Sequence, residues 1–268
     1  VLGSVPYEPD TLRVIREGAA AAGAPLLTGA LEIERTTVSS TAPQGLLYYN
    51  AAWLYSATGE VLGRYRKHHL VPFGEYIPLD KRVPALQRLA PTGVSCTPGR
   101  DSGVLHVARA SGGTLALGPL ICFEDTVPAL SRAAVRAGAR LLVLMTNDAW
   151  FNGSVEPLQH LDQSIFRAVE NGVPLVRAAN SGVTCAVDAV GRVMRLESKG
   201  KATDFDGFLV TQVAVADTPL AAPYTRWGDR VLGLPGAALL LALMAAGARR
   251  PGAARMGPVE ERTDGEET

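Results

Sequence analysis

Cys122 follows an apolar run, Thr114 to Ile121, and precedes Phe123-Glu124-Asp125 and a stretch of helical pattern with Pro128 in its first turn. That sets the thiol at a strand-to-helix corner, where free backbone amides favour a thiolate and can stabilise an oxyanion. An isolated Cys among apolar residues reads as a small buried side chain, and Cys96 and Cys185 read that way. Cys122 departs from that reading through its acidic neighbours and through a segment upstream. The segment Tyr65-Arg66-Lys67-His68-His69-Leu70-Val71-Pro72-Phe73-Gly74-Glu75-Tyr76-Ile77-Pro78 mixes cationic, aromatic, Pro and Gly residues, as a loop fixed for a purpose does. Within it Lys67 can supply the charge that holds a thiolate and later an oxyanion, with Glu75 holding the ammonium in place. The alternative is a solvated basic loop. A metal pair at His68 and His69 is disfavoured, because adjacent residues cannot share one face of a strand or helix and no third ligand lies nearby. Thr146 to Phe151 ends another apolar run with a polar, aromatic turn, where α/β folds place ligand contacts. Gln159-His160 and Arg167 to Gly172 read as helix surface and helix end.

The elements that must position these groups are legible from periodicity. Asp10 to Gly23 predicts a helix, with Leu12, Ile15 and Ala19 on one side and glycine as its stop. Ala24 to Gly29, Leu46 to Ser56, Thr114 to Ile121, Leu141 to Thr146, Pro174 to Ala178, Thr184 to Val190 and Gly207 to Ala216 have strand length and composition. Asp125 to Gly138 and Glu156 to Gly172 read as helices, the latter with Leu158, Leu161, Ile165 and Val169 on one stripe. Strands alternating with helices predict an α/β protein. The 268 residues, 47% hydrophobic and 19% charged, suffice for a sizeable core. With 26 basic and 26 acidic residues the formal charge is zero, which argues against a nucleic-acid partner. Three cysteines do not make a disulfide framework.

Val231 to Ala248 carries no charge and is followed by Arg249 and Arg250. As a helix it would rise roughly 27 Å, close to the thickness of a bilayer's hydrocarbon core. A membrane span at 229–250 is expected rather than a buried helix, with a disordered tail at 251–268 rich in Pro, Gly and charge. The first residues contain neither an initiator Met nor a signal-peptide pattern, so residues 1–228 read as a domain entered part-way.

Taken together, YRKHHLVPFGEYIP (65–78), ICFED (121–125), TNDAWF (146–151), QH (159–160), RAVENG (167–172) and YTRWGD (224–229) resemble the apolipoprotein N-acyltransferases of the nitrilase, or carbon-nitrogen hydrolase, superfamily. The resemblance implies a nitrilase-like four-layer α-β-β-α sandwich, here N-terminally incomplete, followed by one transmembrane helix. It implies transfer of a fatty acyl chain from a phospholipid to the N-terminal amine of a diacylglyceryl-cysteine apolipoprotein, at the bilayer, without a cofactor or metal. It implies residence in the bacterial plasma (inner) membrane with the catalytic domain on the extracytoplasmic face. By motif, Cys122 matches the nucleophile, Lys67 the triad lysine, and Glu75 and Glu124 acidic residues important in the family. Phe123 stands where the family often has Tyr. The family's general base, a Glu in a W-P-E-like motif, has no counterpart here, and neither Glu8, Glu32 nor Glu34 takes its role. The chain therefore reads as a C-terminal part that starts just after the base, inactive alone. Two other readings stand beside this one, an amidase acting on a small soluble amide and an inactive membrane-tethered module.

Overall fold

Apolar spacing and glycine punctuation set the first layer. In the computed structural model, which describes residues 4–6, 9–36, 45–80, 82–83, 85–86, 95–101, 103–151, 153–218 and 222–248, helix α1 (Pro9–Ala22) stops at Gly23, whose φ of +59° suits a residue without Cβ. Leu12, Ile15 and Ala19 of α1 pack on Ala51, Trp53 and Tyr55. Those three belong to β3 (Leu46–Tyr55), which lies between β2 (Leu26–Arg35) and β4 (Val61–Arg66) in an antiparallel sheet ordered β1-β2-β3-β4, with β1 at Ser4–Pro6. Side chains alternate across a strand. The intervening residues Ala52 and Leu54, with Tyr65 of β4, therefore face the other way, onto Leu105, Leu117 and Ile121 of a second sheet.

That second sheet runs β10-β9-β8-β7-β6-β5. Its strands are β5 (Leu105–Ala108), β6 (Thr114–Ile121), β7 (Leu141–Asn147), β8 (Leu175–Asn180), β9 (Cys185–Val187) and β10 (Val193–Arg195). β6, β7 and β8 are parallel, joined by helices α2 (Pro128–Arg136) and α3 (Glu156–Asn171), and the outer pairs are antiparallel. Ala134, Val135, Leu161 and Ala168 of the helices cover Leu120, Leu142 and Leu144 on the face away from the first sheet. α2 lies close to β6 at Gly118, where an added Cβ would meet Leu142, Ala134 and Ala139 at 2.9, 3.0 and 3.1 Å. Three parallel strands thus end side by side, and the residues following them, Cys122, Asp148 and Ser181, stand at one edge.

Four expectations change. The predicted helix over Asp125 to Gly138 is a 3-10 turn, Cys122–Thr126, then extended Val127, then α2. Pro128 explains the break, since a residue before proline is pushed out of the helical region. The strand predicted over Ala24 to Gly29 runs longer, as β2 (Leu26–Arg35), so Glu32 and Glu34, outside the predicted strand, lie within β2. The stripe on α3 is only half buried: Leu161 is buried and Ile165 packs against the core, but Leu158 and Val169 are exposed, and Pro157, His160, Ser164, Arg167, Ala168 and Asn171 complete the buried side. Gly207 to Ala216 forms no strand among the described residues; its alternation persists, with Phe208 and Val210 exposed, but a ladder also needs a neighbouring strand.

The chain divides into two units, Val1–Gly228 and Asp229–Thr268. Near the end of the first unit, α4 (Pro223–Trp227) is held by Arg132 of α2, whose guanidinium donates to the carbonyls of Tyr224, Thr225 and Arg226. The second contains α5 (Gly233–Ala248), with Leu239, Leu240, Leu241, Leu243 and Met244 all exposed. The helical run Pro223–Ala245, 23 residues, is long and apolar enough to cross a membrane. The expected tail at 251–268 lies outside the described residues.

Candidate active site

Lys67 comes directly after β4 and its side chain is buried, 1% exposed. An ammonium so deep needs a counter-charge, and Glu75 supplies it: Lys67 Nζ lies 2.8 Å from Glu75 Oε2. Glu75 is itself held by Asn50 Nδ2 at 2.7 Å and by the Val71 amide at 2.8 Å. The Lys67 amide donates to the Asn50 carbonyl and its carbonyl accepts from Gly99, so backbone and side chain are both fixed. This loop is no solvated basic surface. His68 and His69 diverge, His68 pairing with Asp101 at 3.0 Å and the His69 ring stacking on Phe123 with centroids 6.2 Å apart. Hydrogen bonding to Asp101, against the opposing effect of burial, raises the His68 pKa.

Cys122 directly follows β6, half-buried, with a φ of +51°. A side chain with Cβ adopts that region at a cost, and such strain persists only where surrounding contacts over-determine it. Phe123, 42% exposed, follows it into the 3-10 turn.

Glu124 joins the two halves. Fully buried, it accepts from the Ile121 amide at 2.8 Å, from the His68 and His69 amides at 2.7 and 3.1 Å, and from the Tyr65 hydroxyl at 2.8 Å. One carboxylate thus binds the residue before Cys122 and the residues on both sides of Lys67, which come from different sheets. Burial pushes the Glu124 pKa up, against the pull of those four donors. Burial, then the Glu124 charge, also push up the pKa of Tyr65, which keeps its hydroxyl a donor.

Cys96 sits by this site, its amide donating to the Glu75 carbonyl, and burial pushes its thiol up to about 11. Cys185 is buried on β9 and likewise raised to about 11 by burial. Both fit the inert reading. Glu32 and Glu34 do not reach Lys67: Glu32 pairs with Arg64 and Arg66, and Glu34 pairs with Arg66 at 2.9 Å. Glu8 lies outside the described residues.

The structure adds a group that joins Thr146 and Asp148, from the turn read as a place for ligand contacts, to His160 and Arg167, read as helix surface and end, and to Asp125, Ser164 and Arg177. Behind the Cys122 turn, Asp125 accepts from His160 Nε2 at 2.8 Å and Ser164 Oγ at 2.6 Å, and pairs with Arg177 at 3.3 Å. Its carbonyl accepts from Arg167 at 2.8 Å. Asp148 contacts His160 Nδ1 at 3.1 Å, Arg177 Nη2 at 2.7 Å and Thr146 Oγ1 at 2.6 Å. Arg177 also donates to the Val183 carbonyl at 3.1 Å. All of these side chains are buried. Burial alone would lower the His160 pKa, but hydrogen bonds to Asp125 and Asp148 outweigh it and push it up to about 10. Both ring nitrogens then donate to carboxylates, and Arg177 Nη2, 3.0 Å from Nδ1, finds its acceptor in Asp148 instead. One sequence signal could have exposed this group: His160, Ser164, Arg167 and Asn171 recur at helical spacing, a second stripe beside the apolar one.

The curated relatives include an apolipoprotein N-acyltransferase from Geobacter metallireducens, 49% identical over 148 residues, 55% of this chain and 27% of that protein. Another, from Allorhizobium ampelinum, is 38% identical over 196 residues, 72% of this chain and 35% of that protein. The chain thus spans about a third of the length of these relatives. Among solved structures, a carbon-nitrogen hydrolase from Helicobacter pylori G27 is similar at a TM-score of 0.51 and 18% identity, over 72% of this chain and 64% of that one. Saccharomyces cerevisiae Nit3, a member of branch 10 of the nitrilase superfamily, is similar at a TM-score of 0.51 and 19% identity, over 75% of this chain and 65% of that one. These likenesses show a nitrilase-like α/β fold. The carbon-nitrogen hydrolase profile matches residues 8–220, and the chain, with Lys67 and Cys122 ending strands of facing sheets, belongs to the carbon-nitrogen hydrolase family.

Proposed function

We propose that this chain carries the catalytic face of an apolipoprotein N-acyltransferase, and that Cys122 takes a fatty acyl group from a phospholipid and passes it to the N-terminal amine of a diacylglyceryl-cysteine lipoprotein. The observation that carries the proposal is the Glu124 joint. A single buried carboxylate holds the Lys67 loop and the Cys122 turn at one edge of the fold. The relatives at 49% and 38% identity, both named apolipoprotein N-acyltransferase, support the substrate class.

In the reaction the Cys122 thiolate attacks the ester carbonyl of the phospholipid, forming a tetrahedral oxyanion for which the Lys67 ammonium and the Phe123 amide are the proposed donors. Collapse breaks the ester C–O bond, expels the lysophospholipid alkoxide, which takes up the proton that the Cys122 thiol gave to the site's general base, and leaves a thioester on Sγ. The lipoprotein amine then attacks the thioester carbonyl, its proton passes to the same base, the C–S bond breaks, and that proton returns to Cys122 as the thiol is restored. Glu75 orients Lys67 throughout. Around this site we read the layers as an α-β-β-α sandwich. α5 tethers it to the bacterial plasma membrane on the extracytoplasmic face, where a lipid donor is within reach.

The test is acyl transfer by the full-length protein to a diacylated lipopeptide. Transfer is expected with native Cys122 and lost, by at least about a hundredfold, in Cys122→Ala. Transfer persisting in Cys122→Ala would overturn the proposal.

A further inference from the structure

The Asp125 network raises a question the nucleophile alone leaves open: what keeps Cys122 at a positive φ. Its turn is short, Cys122–Thr126, and Thr126 Oγ1 donates within it to the Phe123 carbonyl at 2.8 Å. The turn's outward ties come from two carboxylates. Glu124 points forward to the Lys67 loop. Asp125, the next residue, points its carboxylate back, to His160 and Ser164 on α3 and Arg177 on β8, while its backbone carbonyl accepts from Arg167 on α3. The same His160 and Arg177 bind Asp148, at the end of β7. At Gly182 an added Cβ would fall 2.1 Å from Asp148 Oδ2, so the loop after β8 closes tightly over that carboxylate. The charged groups around His160 are Asp125 from the turn, Asp148 after β7, Arg177 from β8 and, one turn earlier on its own helix, Glu156. The formal charges of two aspartates, one arginine and one imidazolium cancel.

A buried network of this many charged groups is costly to keep unless its members are paired. A core needing only volume would use apolar residues. Apolar side chains would fill the space but would not fix the direction of a five-residue turn.

We propose that Asp125, His160, Ser164 and Arg177 are positioning residues for the nucleophile, and that this network clamps the Cys122 turn to α3 and β8 so that Cys122 is held in its strained backbone conformation before substrate arrives. None of the four touches the reacting atoms; they act through the turn. The inference rests on the acyl-transfer reading, since it assigns these residues to that reaction. Displacing a reacting atom by about 1 Å costs on the order of a hundredfold in rate, so partial release of the turn predicts a large rate effect with little effect on lipid binding.

Ser164→Ala is the mildest probe, removing one hydroxyl that donates to Asp125 at 2.6 Å and accepts from Arg177 at 2.9 Å. His160→Asn is the second, removing the ring that spans the two aspartates. In the detergent-solubilised full-length protein, with phosphatidylethanolamine as donor, the rate of thioester formation on Cys122 is expected to fall about ten- to a hundredfold in each variant, with the donor KM within twofold of the parent. Iodoacetamide labelling is expected to slow at Cys122 while labelling of Cys96 stays unchanged, which a general loosening of the fold would not produce. Unchanged thioester formation in Ser164→Ala would overturn the inference. So would parallel changes in labelling at Cys96 and Cys122, or a rise in KM that accounts for the whole loss. If the parent forms no thioester at Cys122, the acyl-transfer reading fails instead, and slowed Cys122 labelling in the variants then still supports the clamp.

Discussion

Glu124 shows how much a single side chain can organise. It takes donors from Tyr65, His68, His69 and Ile121, so its removal breaks the direct link between the Lys67 loop and the Cys122 turn. Glu124→Gln keeps the shape but turns an NH2 group toward donors. It is expected to cost about 1–3 kcal/mol of stability and on the order of a hundredfold in acyl transfer, read by urea unfolding and initial rates on the full-length protein. Retention of both would show that the joint does not position the site. His160 gives a pH signature. Its pKa is about 10 in the fold against about 6.5 unfolded, so the stability it contributes is full below pH 6.5 and is lost as pH rises through 10. Urea midpoints should fall from pH 7 to 10, and His160→Asn should flatten that slope; equal slopes in the two proteins would contradict the assignment. At this scale the sequence was most legible where reactive types cluster, at Lys67, Glu75, Cys122 and Glu124. It was least legible at Asp125, Asp148 and Arg177, because pairing across three elements leaves no trace in spacing along one.

Among elements, the strands and helices that bury apolar residues were readable, since their periods follow from their own geometry. Thr114 to Ile121 matches β6 residue for residue. The misreadings have particular causes. On α3 the buried side is rotated from the apolar stripe: Leu161 and Ile165 stay against the core while Leu158 and Val169 turn outward, and His160 and Ser164 reach Asp125. Ahead of α2, Val127 and Pro128 separate the nucleophile's turn from the helix and leave Cys122 on a short turn of its own. The tight approach of α2 to β6 gives a direct check. Gly118→Ala would bring a methyl within 2.9 Å of Leu142 Cδ2, and overpacking of this kind costs about 1–3 kcal/mol. Thermal melts should show the loss; an unchanged melting temperature would mean the helix has room to shift.

For the whole molecule, the zero net charge and low charged fraction acquire a location. Much of the apolar excess lies in the buried strands and in α5, whose leucines are exposed in the described residues. If α5 spans a bilayer, Leu240→Asp with Leu241→Asp, near its middle, places two charges where each costs about 2.5–3.5 kcal/mol. The 268-residue chain should stay with liposomes through an alkaline carbonate wash, and the double variant should be released. Release of both would remove α5 as an anchor. The claim on which the account turns is a thioester on Cys122. Intact-peptide mass spectrometry of the full-length protein, quenched at acid pH after mixing with phosphatidylethanolamine vesicles, tests it most directly. One acyl mass is expected on the Cys122 peptide, removed by neutral hydroxylamine and chased onto a diacylated lipopeptide. Acyl transfer without any adduct at Cys122, or an adduct on Cys96 alone, would contradict it.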